Sequence, residues 1–337
     1  MSQLLPSLKG RVVIALAFDE NSKILTDSAA ALAAKFGVAI RFVHVIEPEY
    51  DASVDFYGAG VFTMPLLARE ARDRQMAAAR GKMKELVGSL KLNVPVDGKV
   101  LEGPVAETIA AEAISANANF IVCAARPRDY KFLPGGFSVA LTLMHHAPMP
   151  VLVLADQAID LNKQRFNILL ADDLRDASIG AVRRSYELAA KLPGSRVRHL
   201  HVHGDFRELM REKWQDLSDT IPALKTNAQS PDGIWAEDHA ARLKAMRDRG
   251  AAELLAAEAR KVPVEIDIRT GNVPEELHAT AVDFQPDLLV FGRHKFFKTR
   301  PYLIGRMSFR SMFMERRPVL IVPPPSEVYA PMPFPAE

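Results

Sequence analysis

Cysteine is almost absent from this sequence. Cys123 is the single cysteine among 337 residues, so the chain cannot form an internal disulfide. It ends the apolar run 120–122, and a free cysteine in such a run usually behaves as a small hydrophobic residue. We therefore expect Cys123 to be a buried core residue and not a reactive thiol.

Long apolar segments are also missing. The first apolar run, residues 12–18, is far shorter than the roughly 20 residues that span a bilayer, and its length is that of a strand. The segment 1–10 is short and polar. It does not show the charged region, apolar region and small-residue cleavage site that follow one another in a secretory signal. The sequence therefore favours a cytoplasmic protein without a membrane partner.

An excess of charge of one sign is lacking as well. The chain has 43 basic and 41 acidic residues, and they are interleaved along its length. A nucleic-acid-binding protein needs a concentrated basic surface to neutralise phosphates, so we expect no nucleic-acid partner. The content of 48% hydrophobic and 25% charged residues is typical of globular proteins, and the length predicts two domains.

The same pattern occurs twice along the chain. Apolar runs at 12–17 and 168–173 are each followed by a polar turn that ends in serine, and then by an Ala/Leu-rich stretch of helical length. A second strand follows in each half, at 38–46 and 196–203, with His44 and His201 in corresponding places. Each half thus begins with a strand, a turn, a helix and a second strand.

The later parts of the two halves match with a constant offset. Gly103 and Gly271 begin corresponding turns, and an offset of 168 residues continues from there to the closing strands at 151–154 and 319–322. Runs without alternation, separated by helices, are typical of a parallel sheet covered on both faces. The sequence therefore predicts an α/β protein made of two tandem doubly wound parallel-sheet domains.

Domain boundaries follow from the repeat. We expect a first domain over residues 8–156, a second over 165–324 and a proline-rich tail over 325–337, with a linker at 156–165. Less regular stretches occur at 48–65 and 204–234, and the second, which contains the Ser-Pro-Asp-Gly sequence at 230–233, is predicted to be an exposed excursion. The Met/Ala-rich run 76–83 favours core or interface packing at helical spacing, with a small apolar ligand as the alternative.

Each half resembles a universal stress protein domain over almost its full length. The segment 145–153, His-His-Ala-Pro-Met-Pro-Val-Leu-Val, is especially similar to the last helix, turn and strand of that family. In its nucleotide-binding members, a loop of the form G-x2-G-x9-G-[ST] follows the fourth strand, and an aspartate commonly ends the first. Glycines of such a loop let backbone N–H groups approach phosphate. The resemblance implies an adenine-nucleotide-binding fold of the nucleotide alpha hydrolase type, with ATP or AMP as the ligand.

The two halves differ in how much of this motif they retain. In the first half, Ala17 stands in the aspartate position, and the loop positions are Ala124, Pro127, Phe137 and Ser138, so the site is eroded. In the second half, the corresponding residues, and the predicted nucleotide-binding residues, are Asp173, Gly292, Lys295, Gly305 and Arg306. Arg293 and Lys298 would add positive charge for an anion. The alternative is a loop of solvated basic residues that has lost its site.

Other chemistries are less well supported by the sequence. His199, His201 and His203 alternate along one strand, which is compatible with metal ligation, but no fourth ligand is evident and we predict no metal site. Ser138 lacks the strand that precedes a nucleophile elbow, and capping of the last helix is the better interpretation. Gly58 and Gly60 do not follow a strand, so a dinucleotide fingerprint is missing. The sequence predicts no catalytic residues.

The resemblance therefore implies a non-catalytic stress-response or regulatory protein with a nucleotide site in its second half. A nucleotide-independent structural or adaptor protein that acts through protein partners is the alternative, and a slow ATPase is a third. Universal stress proteins usually dimerise through their closing strands. We therefore expect an internal pseudo-dimer in which 151–154 pairs with 319–322, and a homodimer is compatible with the same sequence.

Overall fold

The computed structural model describes residues 10–47, 64–125, 139–204, 231–293 and 316–325. It divides into two compact units, one up to Asn162 and one from Lys163 onward. Within each unit, five strands pair in parallel and helices pack against them. The tandem α/β organisation predicted from the repeat is confirmed.

The first unit alternates strands and helices. Its elements are β1 (Arg11–Ala15), α1 (Ser22–Phe36), β2 (Ala39–Ile46), α2 (Met64–Ser89), β3 (Val96–Glu102), α3 (Val105–Ser115), β4 (Ala118–Ala124), α4 (Val139–His146) and β5 (Val151–Leu154). The strands lie in the order β3-β2-β1-β4-β5 and pair in parallel. Chain order and strand order therefore diverge between β1 and β4.

The second unit repeats this arrangement. It contains β6 (Phe166–Ala171), a 3₁₀ turn (Asp176–Ser178), α5 (Ile179–Lys191), β7 (Ser195–His203), α6 (Pro231–Asp248), α7 (Ala251–Ala259), β8 (Val264–Thr270), α8 (Val273–Phe284), β9 (Leu288–Gly292) and β10 (Val319–Val322). The strands lie in the order β8-β7-β6-β9-β10 and are again parallel. The register of β6 on β7, with Ala171 opposite Leu200, matches that of β1 on β2, with Ala15 opposite Val43.

The cores are formed by the central strands. Residues 12–14 of β1 and 168–170 of β6 are completely buried, as the unalternating apolar runs predict for a sheet covered on both faces. In α2, Ala79 and Met83 are buried, and the side chain of Met83 lies against Gly98 of β3. This part of the Met/Ala-rich run therefore packs in the core, and the side chains of residues 64–68 lie outside the description.

One predicted boundary in the second half is wrong. The sequence predicts an irregular excursion through Ile234, whereas α6 already begins at Pro231. Proline fits the first turn of a helix, because its fixed φ is helical and its missing N–H would have no partner inside the helix. The rest of this excursion lies outside the described residues, and so does most of the less regular stretch at 48–65.

The segment that leads from the first unit to the second packs against the first unit. Ile159 and Leu161 are buried, and the Ile159 backbone N–H donates to Ser28 Oγ of α1 at 3.1 Å. The predicted linker at 156–165 therefore packs in part as an extension of the first unit.

No helix among the described residues has the length and hydropathy needed to cross a bilayer.

Candidate functional site

The strand order of the second unit puts a topological switch point at the carboxyl ends of β6 and β9, and we call this place the crevice. The chain moves from β6 towards β7 and β8 on one side of the sheet, and from β9 towards β10 on the other. The loops that leave the two strands therefore diverge, and ligands of open α/β sheets bind at such switch points. Two of the predicted site residues lie here: Asp173, two residues after β6, and Gly292, the last residue of β9.

Asp173 offers an accessible carboxylate at this crevice. Its side chain is 39% exposed. One carboxylate oxygen accepts the backbone N–H of Arg175 at 3.1 Å and lies 3.0 Å from Ser178 Oγ. The turn after β6 thus fixes one oxygen of Asp173 while the side chain keeps access to solvent.

At the same place, the packing around Gly292 leaves no room for a side chain. A Cβ atom on Gly292 would lie 2.6 Å from Cα of Ser178 and 3.0 Å from the Ala177 carbonyl oxygen. These are backbone atoms that cannot yield without moving the 3₁₀ turn. Gly292 therefore brings the end of β9 against the turn that carries Asp173, whether or not its N–H also faces a ligand.

Lys295, Gly305 and Arg306 lie outside the described residues, as do Lys298 and the first-half positions Pro127, Phe137 and Ser138. Arg293 is described, and it differs from the predicted solvated cation: it is only 9% exposed, and its backbone N–H donates to the Val322 carbonyl at 2.8 Å.

The first unit has the same geometry with different side chains. Backbone bonds from Leu16 to Val43 and from Asp172 to Leu200 are equivalent, and the residues two positions on, Phe18 and Leu174, both have positive φ. Ala17 therefore stands where the second unit has Asp173. The predicted loss of the acidic group from the first crevice follows directly from this match.

His44 and His201 also occupy equivalent places, as the repeat predicts. Each donates from Nδ1 to the carbonyl oxygen of the residue after the first strand, Leu16 or Asp172, at 2.8 Å. In His201 the other ring nitrogen lies 3.0 Å from Nη1 of Arg242 and accepts from it, which fits a neutral ring because burial lowers the pKa of His201. These histidines join neighbouring strands.

The histidines of β7 do not converge on a common point. His199 lies between Tyr186 and Asp172, His201 joins Asp172 and Arg242, and His203 lies against Trp235 with 4.6 Å between ring centroids. Across the part of the chain that the structure describes, no group of three or more His, Cys, Asp or Glu residues could hold a metal ion.

The sequence analysis does not predict a buried polar cluster that lies next to Asp173. The cluster consists of Asp172, Ser178, Tyr186, His199 and Arg249. The Asp172 side chain is completely buried, and its carboxylate accepts from Ser178 Oγ at 2.5 Å, from Arg249 Nε at 3.0 Å and from His199 Nε2 at 3.1 Å. The Asp-Asp doublet at 172–173, in place of Leu-Ala at 16–17, is the one sequence feature that marks it.

The electrostatics of this cluster favour an ionised Asp172. Burial raises the pKa of the carboxyl, but hydrogen bonds from His199 and Ser178 and the positive charge of Arg249 outweigh burial and lower the pKa to about 2. Burial raises the pKa of the Tyr186 hydroxyl, which lies 2.7 Å from His199 Nδ1. The cluster therefore holds one buried negative charge that Arg249 balances.

Cys123 is placed as the sequence predicts. It is buried in β4, and burial raises the pKa of its thiol to about 12. A thiol with so high a pKa is protonated at neutral pH and is a poor nucleophile.

Comparison with known proteins agrees with both the fold and the repeat. A model of the universal stress protein family matches residues 10–155 and again 165–311. A universal stress protein from Archaeoglobus fulgidus DSM 4304 is structurally similar, with a TM-score of 0.61 and 15% sequence identity over 94% of this chain and 98% of that one.

Two structures from Pseudomonas aeruginosa show the same likeness. A putative universal stress protein from strain UCBPP-PA14 has a TM-score of 0.57, and a functionally unknown protein from strain PAO1 has one of 0.56. Each is 16% identical, and the match covers 94% of both chains. At this identity the likeness shows the fold. No curated protein matches the sequence.

Proposed function

Because the chain belongs to the universal stress protein family and carries two such domains in tandem, we propose that it is a non-catalytic stress-response protein of the cytoplasm that binds an adenine nucleotide. The ligand, ATP or AMP, binds at the crevice of the second domain. The observation that carries this proposal is the exposed carboxylate of Asp173 beside Gly292, at the point where β6 and β9 diverge.

The chemistry of the crevice suits a nucleoside with a phosphate tail. The Asp173 carboxylate can accept hydrogen bonds from ribose hydroxyls or from the adenine amino group. The loop after β9 carries Lys295 and Arg306, whose charges would attract the phosphates. Gly305 would let the backbone approach the phosphate oxygens closely.

The asymmetry between the domains supports a single site per chain. At the equivalent crevice of the first domain, the positions of Asp173 and Gly292 are held by Ala17 and Ala124. The Ala17 side chain cannot accept the hydrogen bonds that the Asp173 carboxylate can accept. We therefore propose that the first domain serves a structural role and binds no nucleotide.

Calorimetric titration with ATP and AMP, with and without magnesium, tests the proposal. The unaltered chain should bind one nucleotide, and Asp173→Ala or Gly305→Trp should weaken binding at least tenfold. Glu20→Ala is the matched control, because it removes an exposed carboxylate from the equivalent turn of the first domain. It should leave the affinity unchanged.

Other outcomes would redirect the assignment. If no adenine nucleotide binds to the unaltered chain, the adaptor role through protein partners replaces this proposal. Steady phosphate release from bound ATP would contradict its non-catalytic part and indicate a slow ATPase.

A further inference from the structure

Arg249 donates several hydrogen bonds to the turn at the crevice. It lies just after α6, next to Gly250, where the chain turns into α7. Its guanidinium donates to the Asp172 carboxylate at 3.0 Å, to the Leu174 carbonyl at 3.1 Å, to Ser178 Oγ at 2.8 Å and to the Arg175 carbonyl. One side chain, 11% exposed, thus contacts four residues of the turn after β6.

These contacts bear directly on Asp173. The Ser178 hydroxyl has one proton, which it donates to Asp172 at 2.5 Å, and the same oxygen lies 3.0 Å from the Asp173 carboxylate. Two neighbouring carboxylates therefore share one hydroxyl group. Their mutual repulsion favours a different arrangement of the turn unless nearby cations compensate it. Arg249 compensates the buried charge of Asp172, with Nε 3.0 Å from its carboxylate, while Arg175 Nε lies 3.6 Å from the exposed carboxylate of Asp173.

The backbone of the turn also depends on Asp172. Its Oδ1 atom accepts the Leu174 N–H at 2.9 Å, and Leu174 has a φ of 61°, a conformation that costs free energy for a non-glycine residue. Arg249 accordingly supports this strained turn twice: it holds Asp172 in place, and it caps the carbonyl oxygens of Leu174 and Arg175.

The first domain forms the equivalent turn without this device. Leu16 and Phe42 occupy the positions of Asp172 and His199, as the strand registers show. Both are completely or almost completely buried. The fold therefore does not require a buried charge at this place, and the charged cluster is confined to the domain whose crevice carries an acidic group.

We propose that Arg249 is a positioning residue for the nucleotide site: through Asp172 and Ser178 it holds the turn 172–178 in the conformation that presents the Asp173 carboxylate to the ligand. This inference rests on the proposed function for the identity of the ligand. Its structural part, the order of the turn, is independent of any ligand.

The test uses the full chain with Arg249→Met, which keeps an unbranched side chain but removes the guanidinium and its charge, and Arg249→Lys, which keeps the charge. Arg247→Met is the matched control, because Arg247 is exposed and lies two residues earlier on the same segment. Backbone hydrogen exchange is measured without nucleotide, and ATP affinity is measured by calorimetry.

In Arg249→Met, exchange should accelerate at least tenfold for the amides of residues 174–178, while the amides of β6 and β9 and of the first-domain turn 18–22 should keep their protection. ATP should bind at least tenfold more weakly. Arg249→Lys should recover part of both losses, and Arg247→Met should behave as the unaltered chain.

Two results would overturn the inference. One is an unchanged exchange rate in the turn together with unchanged ATP affinity. The other is acceleration throughout β6 and β9, which would make Arg249 a general support of the domain. If the unaltered chain binds no ATP, the proposed function fails while the exchange data still decide the claim about the turn.

A second variant covers the case in which Arg249→Met alone does not fold. Asp172→Leu/Arg249→Met removes both charges and places at 172 the residue type that the first domain has at Leu16. Replacing a buried ion pair by apolar groups is often neutral for stability, so this variant should fold. A folded double variant with a protected turn and unchanged ATP affinity would contradict the proposal.

Discussion

The buried carboxylate of Asp172 makes the second domain sensitive to acid. Its pKa is about 2 in the folded chain, below the value of roughly 3.9 for an unfolded aspartate. The folded state therefore binds this proton less readily than the unfolded state does. The stability that Asp172 contributes is complete above pH 5 and is lost as the pH falls from about 4 to about 2.

We predict that the free energy of unfolding falls by about 2 kcal/mol more between pH 5 and pH 2.5 in the unaltered chain than in Asp172→Leu/Arg249→Met. Urea titration followed by tryptophan fluorescence measures this difference, because both tryptophans, Trp214 and Trp235, belong to the second half. Equal pH dependence in the two proteins would contradict the stated ionisation of Asp172.

Gly292 should be intolerant of any side chain, for a reason that does not involve the ligand. We predict that Gly292→Ala lowers the free energy of unfolding by about 2 kcal/mol, because the added Cβ meets the backbone of Ser178 and Ala177. Urea titration of the ligand-free protein checks this.

Gly81→Ala is its control. Gly81 lies inside α2 with nothing within 4 Å of an added Cβ, so the substitution should raise stability by about 0.5–1 kcal/mol. A Gly292→Ala variant as stable as the unaltered chain would show that the turn can move away from β9.

Some residues of the candidate site could be predicted from the sequence, and others could not. The aspartate position at 173 follows from the family motif, and the structure places it at the crevice. Asp172 and Arg249 could not be paired in advance, because they are 77 positions apart and no local pattern indicates which arginine of a charged helix turns inward.

At the scale of elements, the central strands and the closing strands could be predicted, whereas β3 and β8 could not. β1, β4, β6 and β9 each contain an apolar run without alternation, because helices cover both faces of the sheet at those positions. β3 contains Asp97 and Lys99 and is only partly buried, so its composition resembles that of a loop. Its partner in the repeat, β8, shares this character.

The turns that follow these edge strands require glycine. Gly103 and Gly271 have φ values of 142° and 146°, a region that residues with a side chain rarely adopt. We predict that Gly271→Ala lowers the free energy of unfolding by about 1–3 kcal/mol, measured in urea by far-UV circular dichroism, which reports both domains. Gly88→Ala, at a site with open space around it, should not lower it, and equal stability of the two variants would contradict the strain argument.

At the scale of the whole molecule, the presence of two domains on one chain suggests that each domain stabilises the other. β5 ends the strand order of the first unit and β10 ends that of the second, and a strand at the edge of a sheet can pair with other chains unless it is covered. The pairing of β5 with β10 in an internal pseudo-dimer stays a prediction, and it would explain why a domain with an eroded site is retained.

Cleavage between Asn162 and Lys163 tests this prediction. The cut preserves the contacts of Ile159 and Leu161 with the first unit, and the two halves should remain associated at micromolar concentration. Analytical ultracentrifugation distinguishes the outcomes. Halves that are folded, stable and monomeric would contradict the pseudo-dimer.

Photo-crosslinking with 8-azido-ATP, followed by peptide mapping, tests the central claim most directly, because it reports which domain holds the nucleotide. The label should appear in peptides of residues 165–324, disappear with excess ATP and be absent from Asp173→Ala. Competed labelling of the first domain, or no competed labelling in either domain, would contradict a nucleotide site at the second crevice.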